Sequence, residues 1–250
     1  MTPRARRLRR FVAVPAVLAL GLLAACGEDP AAPAPGTATS ASEGATAGAT
    51  SPAAARAPQE RTTGDVTVTA TSVIVGDPDA PERVVVYEDL NCPYCRALHE
   101  AMDTDADVVA WAGGGDVAVE HVVVDYLGPR TTHKFSTRGA ALLAVVADAD
   151  PEAWPAVLTA LYEVRPEAGT DAGPSDDELL ALAREAGADL DDADAAAVRE
   201  QTFGGWVEEV TAYAAAEGVS YIPQVYVDDE LVEGETEADV LTAVKARVTD

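Results

Sequence analysis

The chain has 250 residues, enough for one medium domain or two small ones. Hydrophobic residues make up 48% of it and aromatics only 5%, so a core has to be built mainly from Val, Leu and Ala. Seventeen basic residues against 43 acidic ones give a formal charge of −26, which argues against a nucleic-acid partner, whose backbone is itself anionic. Three cysteines are too few for a disulfide-stapled scaffold and one too many for a single pair.

Residues 1–10 carry Arg4, Arg6, Arg7, Arg9 and Arg10 and no acid, and Phe11 to Ala25 is apolar apart from Pro15 and Gly21. A basic start followed by about 15 apolar residues is short for a bilayer span and reads as an export signal. It ends in Leu23-Ala24-Ala25-Cys26, which resembles a bacterial lipobox, where the cysteine sulfur receives lipid and the chain is cut just before it. An ordinary secretory signal with a stray cysteine, or an uncleaved anchor, is the competing possibility. Cleavage before Cys26 removes five arginines and takes the charge to −31. So acidic a body is not drawn to anionic lipid, and attachment to the bilayer would rest on the two chains of a diacylglycerol on Cys26.

Residues 26–64 follow as a tether. From Gly27 to Gly64 there is no Val, Leu, Ile, Met or aromatic residue, so little apolar surface is available to offset chain entropy and disorder is expected. A flexible chain of this length spans about 30–35 Å.

The folded unit is expected from residue 65 to 250. Val66, Val68 and Ala70 alternate with threonines as in a strand, and Gly76-Asp77-Pro78 turns the chain. Val84 to Tyr87 is a short continuous apolar run, as for a strand buried on both faces. Asn91-Cys92-Pro93-Tyr94-Cys95 comes next, with Leu98, Met102 and Val109 at helical spacing behind it, and Val117 to Val124 reads as a neighbouring strand. From about 136 to 217 the periodicity is helical: Leu142, Val145 and Val146, then Trp154, Val157, Leu158 and Leu161. Ser175-Asp176-Asp177-Glu178 is a capping box, and a last stripe from Trp206 to Tyr213 stops at Gly218. Val225 to Val232, with Asp228-Asp229 at its centre, reads as a hairpin, and Leu241, Val244 and Val248 as a closing helix. This is an α/β domain with a helical block inserted in its middle.

Cys92 and Cys95 carry the chemistry. A cysteine attacks disulfides as its thiolate. Roughly 3% is ionised at pH 7 with the ordinary pKa near 8.5, and about half once the pKa falls to about 7. A helix N-terminus favours the anion, and Pro93 suits the first helical position because its missing N–H would be unpaired anyway. Two intervening residues put Cys95 within reach of Cys92 but in a less exposed place, so Cys92 attacks and Cys95 resolves. Three rival roles compete for these residues: a partial zinc site of Cys92, Cys95 and His99, which would have to draw on His121 or His133 for four ligands; a purely structural disulfide; and unrelated thiols. Tyr221-Ile222-Pro223 lies far along the chain, between the last helix and the hairpin.

Together these features resemble the DsbA-like branch of the thioredoxin superfamily over roughly residues 65–249, in a bacterial lipoprotein form. The matching residues are Gly76-Asp77-Pro78, Tyr87-Glu88-Asp89 leading into Cys92-Pro93-Tyr94-Cys95, the helical insertion, and Val219 to Pro223 before the hairpin. The resemblance implies a thioredoxin-like fold with an inserted helical subdomain. It implies Pro223 as a cis-proline facing the dithiol, Ile222 offering its backbone to an extended substrate, and Pro93 and Tyr94 beside that substrate. No metal or other cofactor is expected.

Two departures bear on redox direction. The namesake of the branch has a histidine where this chain has Tyr94, so Cys92 is expected to be less acidic and the couple less oxidising, between about −120 mV for DsbA and about −200 mV for glutaredoxins. Many relatives bury a carboxylate six residues before the first cysteine, where this chain has Val86. Glu88 points to the same side of the strand and is the candidate substitute, with a pKa raised by burial; a solvated acid at the end of the sheet is the alternative. His121, in phase with Val117 and Val119, reads as a packed or edge histidine, and His99, one turn beyond Cys95, either as an exposed helical one or as a residue that tunes the dithiol. The run from Asp189 to Asp194 lacks the glycine and oxygen ligand of a calcium loop and reads as helix caps. The function implied is a lipid-anchored thiol-disulfide oxidoreductase on the outer face of the cell membrane. It would oxidise reduced exported polypeptides and be reoxidised by a membrane redox partner. The alternatives are an extracytoplasmic reductase and a non-catalytic thioredoxin-like lipoprotein that holds a metal or a polypeptide.

Overall fold

Four consecutive residues without a charge, Val84 to Tyr87, set the centre of the molecule. They lie in β4 (Glu82–Glu88), which pairs in parallel with β5 (Val117–Val123) on one side and antiparallel with β6 (Gln224–Val227) on the other. The registers are Val84 opposite Val119 and Val86 opposite Val225. Parallel pairing requires helical cover, and both faces have it. The computed structural model describes residues 56–248, so Cys26, the leader and most of the tether lie outside it. Three short strands, β1 (Arg61–Thr63), β2 (Val66–Val68) and β3 (Val73–Val75), extend the sheet beyond β5, and β7 (Glu230–Val232) closes the other edge. The order is β1-β2-β3-β5-β4-β6-β7.

One face of the sheet buries Val84, Val86, Val117, Val119, Val225 and Val227 under α1 (Pro93–Thr104), α2 (Ala106–Gly114) and α8 (Glu237–Val248). Leu98 and Met102 of α1, Val108 of α2 and Val244 of α8 form that layer. The second core gathers Val66, Val68, Val73, Tyr87 and Val122 with five helices between β5 and β6: α3 (Phe135–Ala149), α4 (Trp154–Glu163), α5 (Asp176–Glu185), α6 (Asp192–Arg199) and α7 (Gly204–Ala216). α3 is buried along nearly its whole length, which its Ala-, Leu- and Val-rich sequence permits. At Gly139 an added Cβ would sit 2.6 Å from a methyl of fully buried Leu90, so the helix touches the loop before Cys92.

Local chemistry explains the ends of these elements. Ser175 and Glu178 form a reciprocal capping box on α5, and Asp191 and Asp194 do the same for α6, so the aspartate run serves as caps. Asp228 and Asp229 both take positive φ, 48° and 68°, as a tight hairpin turn between β6 and β7 requires.

Three expectations need correction. The tether ends earlier than residue 64: β1 already occupies 61–63, and Arg56, Gln59 and Arg61 all bond to Asp148 of α3, at 2.7, 2.9 and 2.7 Å. The strand expected through Val66, Val68 and Ala70 stops at Val68, and Val73-Ile74-Val75 forms a second one, because the chain doubles back and places Val66 opposite Val75. The stripe from Leu98 to Val109 is two helices. Asp105 is extended (φ −82°, ψ 120°), its carboxylate accepts from the N–H groups of Asp107 and Val108 at the start of α2, and Val109 faces solvent at 59% exposure.

Candidate active site

Strand β4 delivers the chain to Asp89-Leu90-Asn91, and Cys92 then caps α1. Its backbone is extended, Pro93 is the first helical residue, and the N–H of Cys95 donates to Cys92 Sγ at 3.4 Å. The Cys92 thiol points at the carbonyl oxygen of Ile222, 3.9 Å away, and the Ile222–Pro223 bond is cis. The two cysteines, both free thiols, and the loop before β6 therefore meet although some 130 residues separate them. Tyr94 and Tyr221 are 65% and 55% exposed, one beside each sulfur-facing segment. Both cysteines are buried, Cys92 at 3% and Cys95 at 1%, so the expected difference in accessibility is small.

The difference lies in acidity. A hydrogen bond from the Cys95 thiol does most to lower the Cys92 pKa, burial opposes it, and the N–H groups of Cys95 and Tyr94 assist; the result is about 7. Cys95 moves the other way, well above the ordinary thiol range, through burial first and then the Cys92 sulfur; the charge of Glu88 adds to this. At neutral pH one sulfur is half ionised and the other keeps its proton. Such a pair can attack a disulfide through Cys92 and close on itself through Cys95.

Glu88 is no solvated acid. It is 2% exposed, with Oε1 2.7 Å from Nδ1 of His121 on β5 and Oε2 accepting from the Tyr162 hydroxyl of α4 at 2.6 Å. Burial pushes its pKa up, but the charge and hydrogen bond of His121, with help from His99 and Tyr162, outweigh burial. The pKa is lowered, contrary to the expected rise, because the residues that would desolvate the acid also bring it a histidine. His99 is buried as well, correcting its expected exposure: its ring lies 4.8 Å from that of Tyr162, and its Nε2 is 2.9 Å from Thr159 Oγ1 and 3.3 Å from Asp103. Burial lowers the His99 pKa, and Asp103 and Glu88 more than reverse this. Val86 packs in the apolar layer under α1.

The sequence places Asp89 in the matching run before Cys92 but gives it no role of its own. It is fully buried and accepts from the N–H of Asn91 (2.8 Å), the Ser136 hydroxyl (2.5 Å) and the N–H of Leu127 (2.9 Å), which ties the dithiol loop to α3 and to the loop after β5. Burial raises its pKa. Its bond to the N–H two residues on is an Asx turn, the one local signal available. Tyr162 left no such signal. Among the described residues no group of three or more His, Cys, Asp and Glu is placed to hold a metal ion, and no helix is long and apolar enough to cross a membrane.

The family model described as Thioredoxin matches residues 68–246. The chain belongs to the thioredoxin family. Within it, the fold is that of DsbA-type proteins with their helical insertion. The oxidised DsbA of Mycobacterium tuberculosis is 27% identical, with a TM-score of 0.58 over 72% of this chain and 93% of that one. MdbA of Corynebacterium diphtheriae, a thiol-disulfide oxidoreductase, shares 23% identity and a TM-score of 0.58 over 73% and 95%. BdbD of Bacillus subtilis shares 18% and 0.57 over 77% and 100%. These last two likenesses are of fold. No curated protein matches the chain in sequence. In this thioredoxin-family member the dithiol sits at the N-terminus of the helix that follows the central strand, facing a cis-proline loop.

Proposed function

We propose that this protein is an exported, membrane-anchored thiol-disulfide oxidoreductase that oxidises dithiols of secreted polypeptides. The enzyme class is that of its DsbA-type neighbours. The observation that carries the reading is the split acidity of the pair, Cys92 lowered to about 7 and Cys95 raised, at the mouth formed with Ile222 and Pro223. In the forward direction a substrate thiolate attacks Cys92 in the Cys92–Cys95 disulfide, and Cys95 leaves. A second substrate thiolate then attacks the substrate sulfur of the mixed disulfide and frees Cys92. Pro223 offers no N–H beside the sulfurs, and the Ile222 backbone, with exposed Pro93 and Tyr94, lines the path of an extended substrate. Glu88 serves the proton of Cys95.

Export and anchoring rest on the basic leader, its apolar run and Cys26, with the bilayer engaged through lipid on that cysteine. A membrane redox partner accepts the two electrons. Apart from Cys26, the chain after the leader has no cysteine other than the pair, so no second disulfide competes for the electrons.

One observation favours the reductase direction. A nucleophile with pKa about 7 lies near the value typical of thioredoxin and well above the ~3.5 of DsbA. Protein lacking the leader, loaded as the disulfide, decides between the two when mixed with a reduced, unfolded substrate in a redox buffer. Oxidation of the substrate, abolished by Cys92→Ser, is the expected result. Net reduction of a disulfide substrate under the same buffer would assign the reverse direction, and no exchange at all would refute both.

A further inference from the structure

Arg165 stands two residues past the end of α4, where Pro166 stops the helical run. Its backbone N–H still donates to the Tyr162 carbonyl at 3.4 Å, while its side chain turns toward the dithiol loop. There Nη1 donates to the carbonyl oxygens of Asn91 at 3.4 Å and of Pro166 at 2.9 Å. Asn91 is the residue before Cys92, so backbone dimensions put this guanidinium within about 10 Å of the attacking sulfur.

The rest of the guanidinium is unused. Nε is buried without a partner, one of only two such side-chain atoms among the described residues, and Nη2 has no partner there either. Arg56, Arg83, Arg96, Arg138 and Arg199, by contrast, each hold a carboxylate at 2.7–2.9 Å. No carboxylate among the described residues bonds to Arg165. Glu88 and Asp89 are buried and spend their oxygens on His121, Tyr162, Ser136 and two backbone N–H groups. Nε–H and Nη2–H lie on one edge of the guanidinium plane and point the same way, an arrangement that fits both oxygens of a carboxylate. Nη2 is the point of entry, and a carboxylate docked there stands beside the unpaired Nε–H.

Resting on the oxidoreductase reading above, we propose that Arg165 is a specificity residue that binds a carboxylate of the substrate polypeptide. It favours cysteines with an Asp or Glu within about three positions. An extended segment advances about 3.3 Å per residue, so three positions cover the distance from the sulfur to the guanidinium. The chain as a whole pulls the other way. With 43 acidic residues against 17 basic ones, its field draws basic segments and repels acidic ones. Reversing that order takes an uncompensated cation close to the mouth. Exposed Pro93 and Tyr94 carry no charge, and Arg96 is held by Glu100 at 2.7 Å, which leaves Arg165.

The test is the initial rate at which the reduced protein attacks short peptides, each with one cysteine joined to 2-thiopyridine through a disulfide. The Cys92 thiolate bonds to the peptide sulfur, the peptide–pyridine S–S bond breaks, and the pyridine-2-thiolate that leaves is read by its absorbance. Each peptide carries Glu, Gln or Lys at one of the three positions on either side of its cysteine. At the best position and low salt the expected order is Glu, then Gln, then Lys. Glu should lead Gln by about tenfold, the size of one charge-assisted contact, and the lead should shrink in about 0.5 M salt. In Arg165→Gln the Glu-to-Gln ratio should fall to about one or below. Loss of a mere loop staple would instead slow all three peptides alike and keep the ratio. Should Arg165→Gln not fold, Arg165→Lys decides: without the Nε–Nη2 edge the ratio should fall at least about threefold, and an undiminished ratio overturns the proposal. Equal rates, or Lys ahead of Glu at every position in the native protein, overturn it as well, as does a Glu preference that survives in Arg165→Gln. Release of pyridine-2-thiolate from none of the peptides would overturn the oxidoreductase reading itself.

Discussion

Replacing Cys95 by Ala probes the acidity of Cys92 directly. The change removes the hydrogen bond that does most to hold Cys92 at about 7 and leaves the backbone N–H groups of residues 94 and 95 in place. The Cys92 pKa should rise by about one unit, part of the way to its ordinary value near 8.5. At pH 7 the ionised fraction then falls from about half to about a tenth. Each thiolate becomes more nucleophilic, by about threefold per unit at a Brønsted slope of 0.4–0.5, so attack on a small disulfide at pH 7 slows only about twofold. A single rate is therefore a weak readout, and the midpoint is the strong one. It is read from the far-ultraviolet absorbance of the thiolate and from alkylation rates between about pH 5 and about pH 10. A midpoint still at about 7 in Cys95→Ala would refute the reasoning and assign the acidity to the helix N-terminus alone.

Glu88 has a lowered folded-state pKa, so the stability it contributes is fully present above about pH 4.3 and is lost as pH falls through the lower folded value. Glu88→Gln should flatten that acid limb in urea melts, and an unchanged limb would mean the His121 pair adds nothing. Gly139→Ala gains about 1 kcal/mol of helix propensity but drives a methyl into buried Leu90, an overpacking that costs about 1–3 kcal/mol; a net loss of stability by urea unfolding is expected, and a gain would show that Leu90 moves freely. A chain starting at residue 65 lacks β1 and the bonds of Arg56, Gln59 and Arg61 to Asp148. It should be less stable than one starting at 56 by about 1–3 kcal/mol, at roughly 0.5–1.5 kcal/mol for each bond that counts; equal midpoints would return 56–64 to the tether.

What could be read from the sequence was whatever short-range rules govern. The Cys-Pro-Tyr-Cys run with proline at the first helical position, the Ser175 to Glu178 cap, the Asp228-Asp229 turn and the long helical block each announce themselves within a few residues. Asp105 escaped notice because its break falls inside an apolar stripe that keeps helical spacing on either side. The surroundings of Glu88 were out of reach for a different reason. His121 and Tyr162 lie 33 and 74 residues away, on a strand and a helix that meet only once the sheet and the helical block have docked. Burial was anticipated, but its usual effect on a carboxylate reverses when it brings a basic partner, and no local pattern encodes that partner. His99 repeats the lesson: a helical position one turn past Cys95 reads as surface until α4 covers it.

The central claim is that Cys92 and Cys95 form an exchanging couple rather than a structural bond. Its most direct test is the equilibrium of the pair with reduced and oxidised glutathione, read as the fraction of free thiol. A half-lowered nucleophile facing a raised partner predicts a potential between about −120 and about −200 mV, between DsbA and the glutaredoxins. A value below about −300 mV, where structural disulfides of secreted proteins lie, would contradict it.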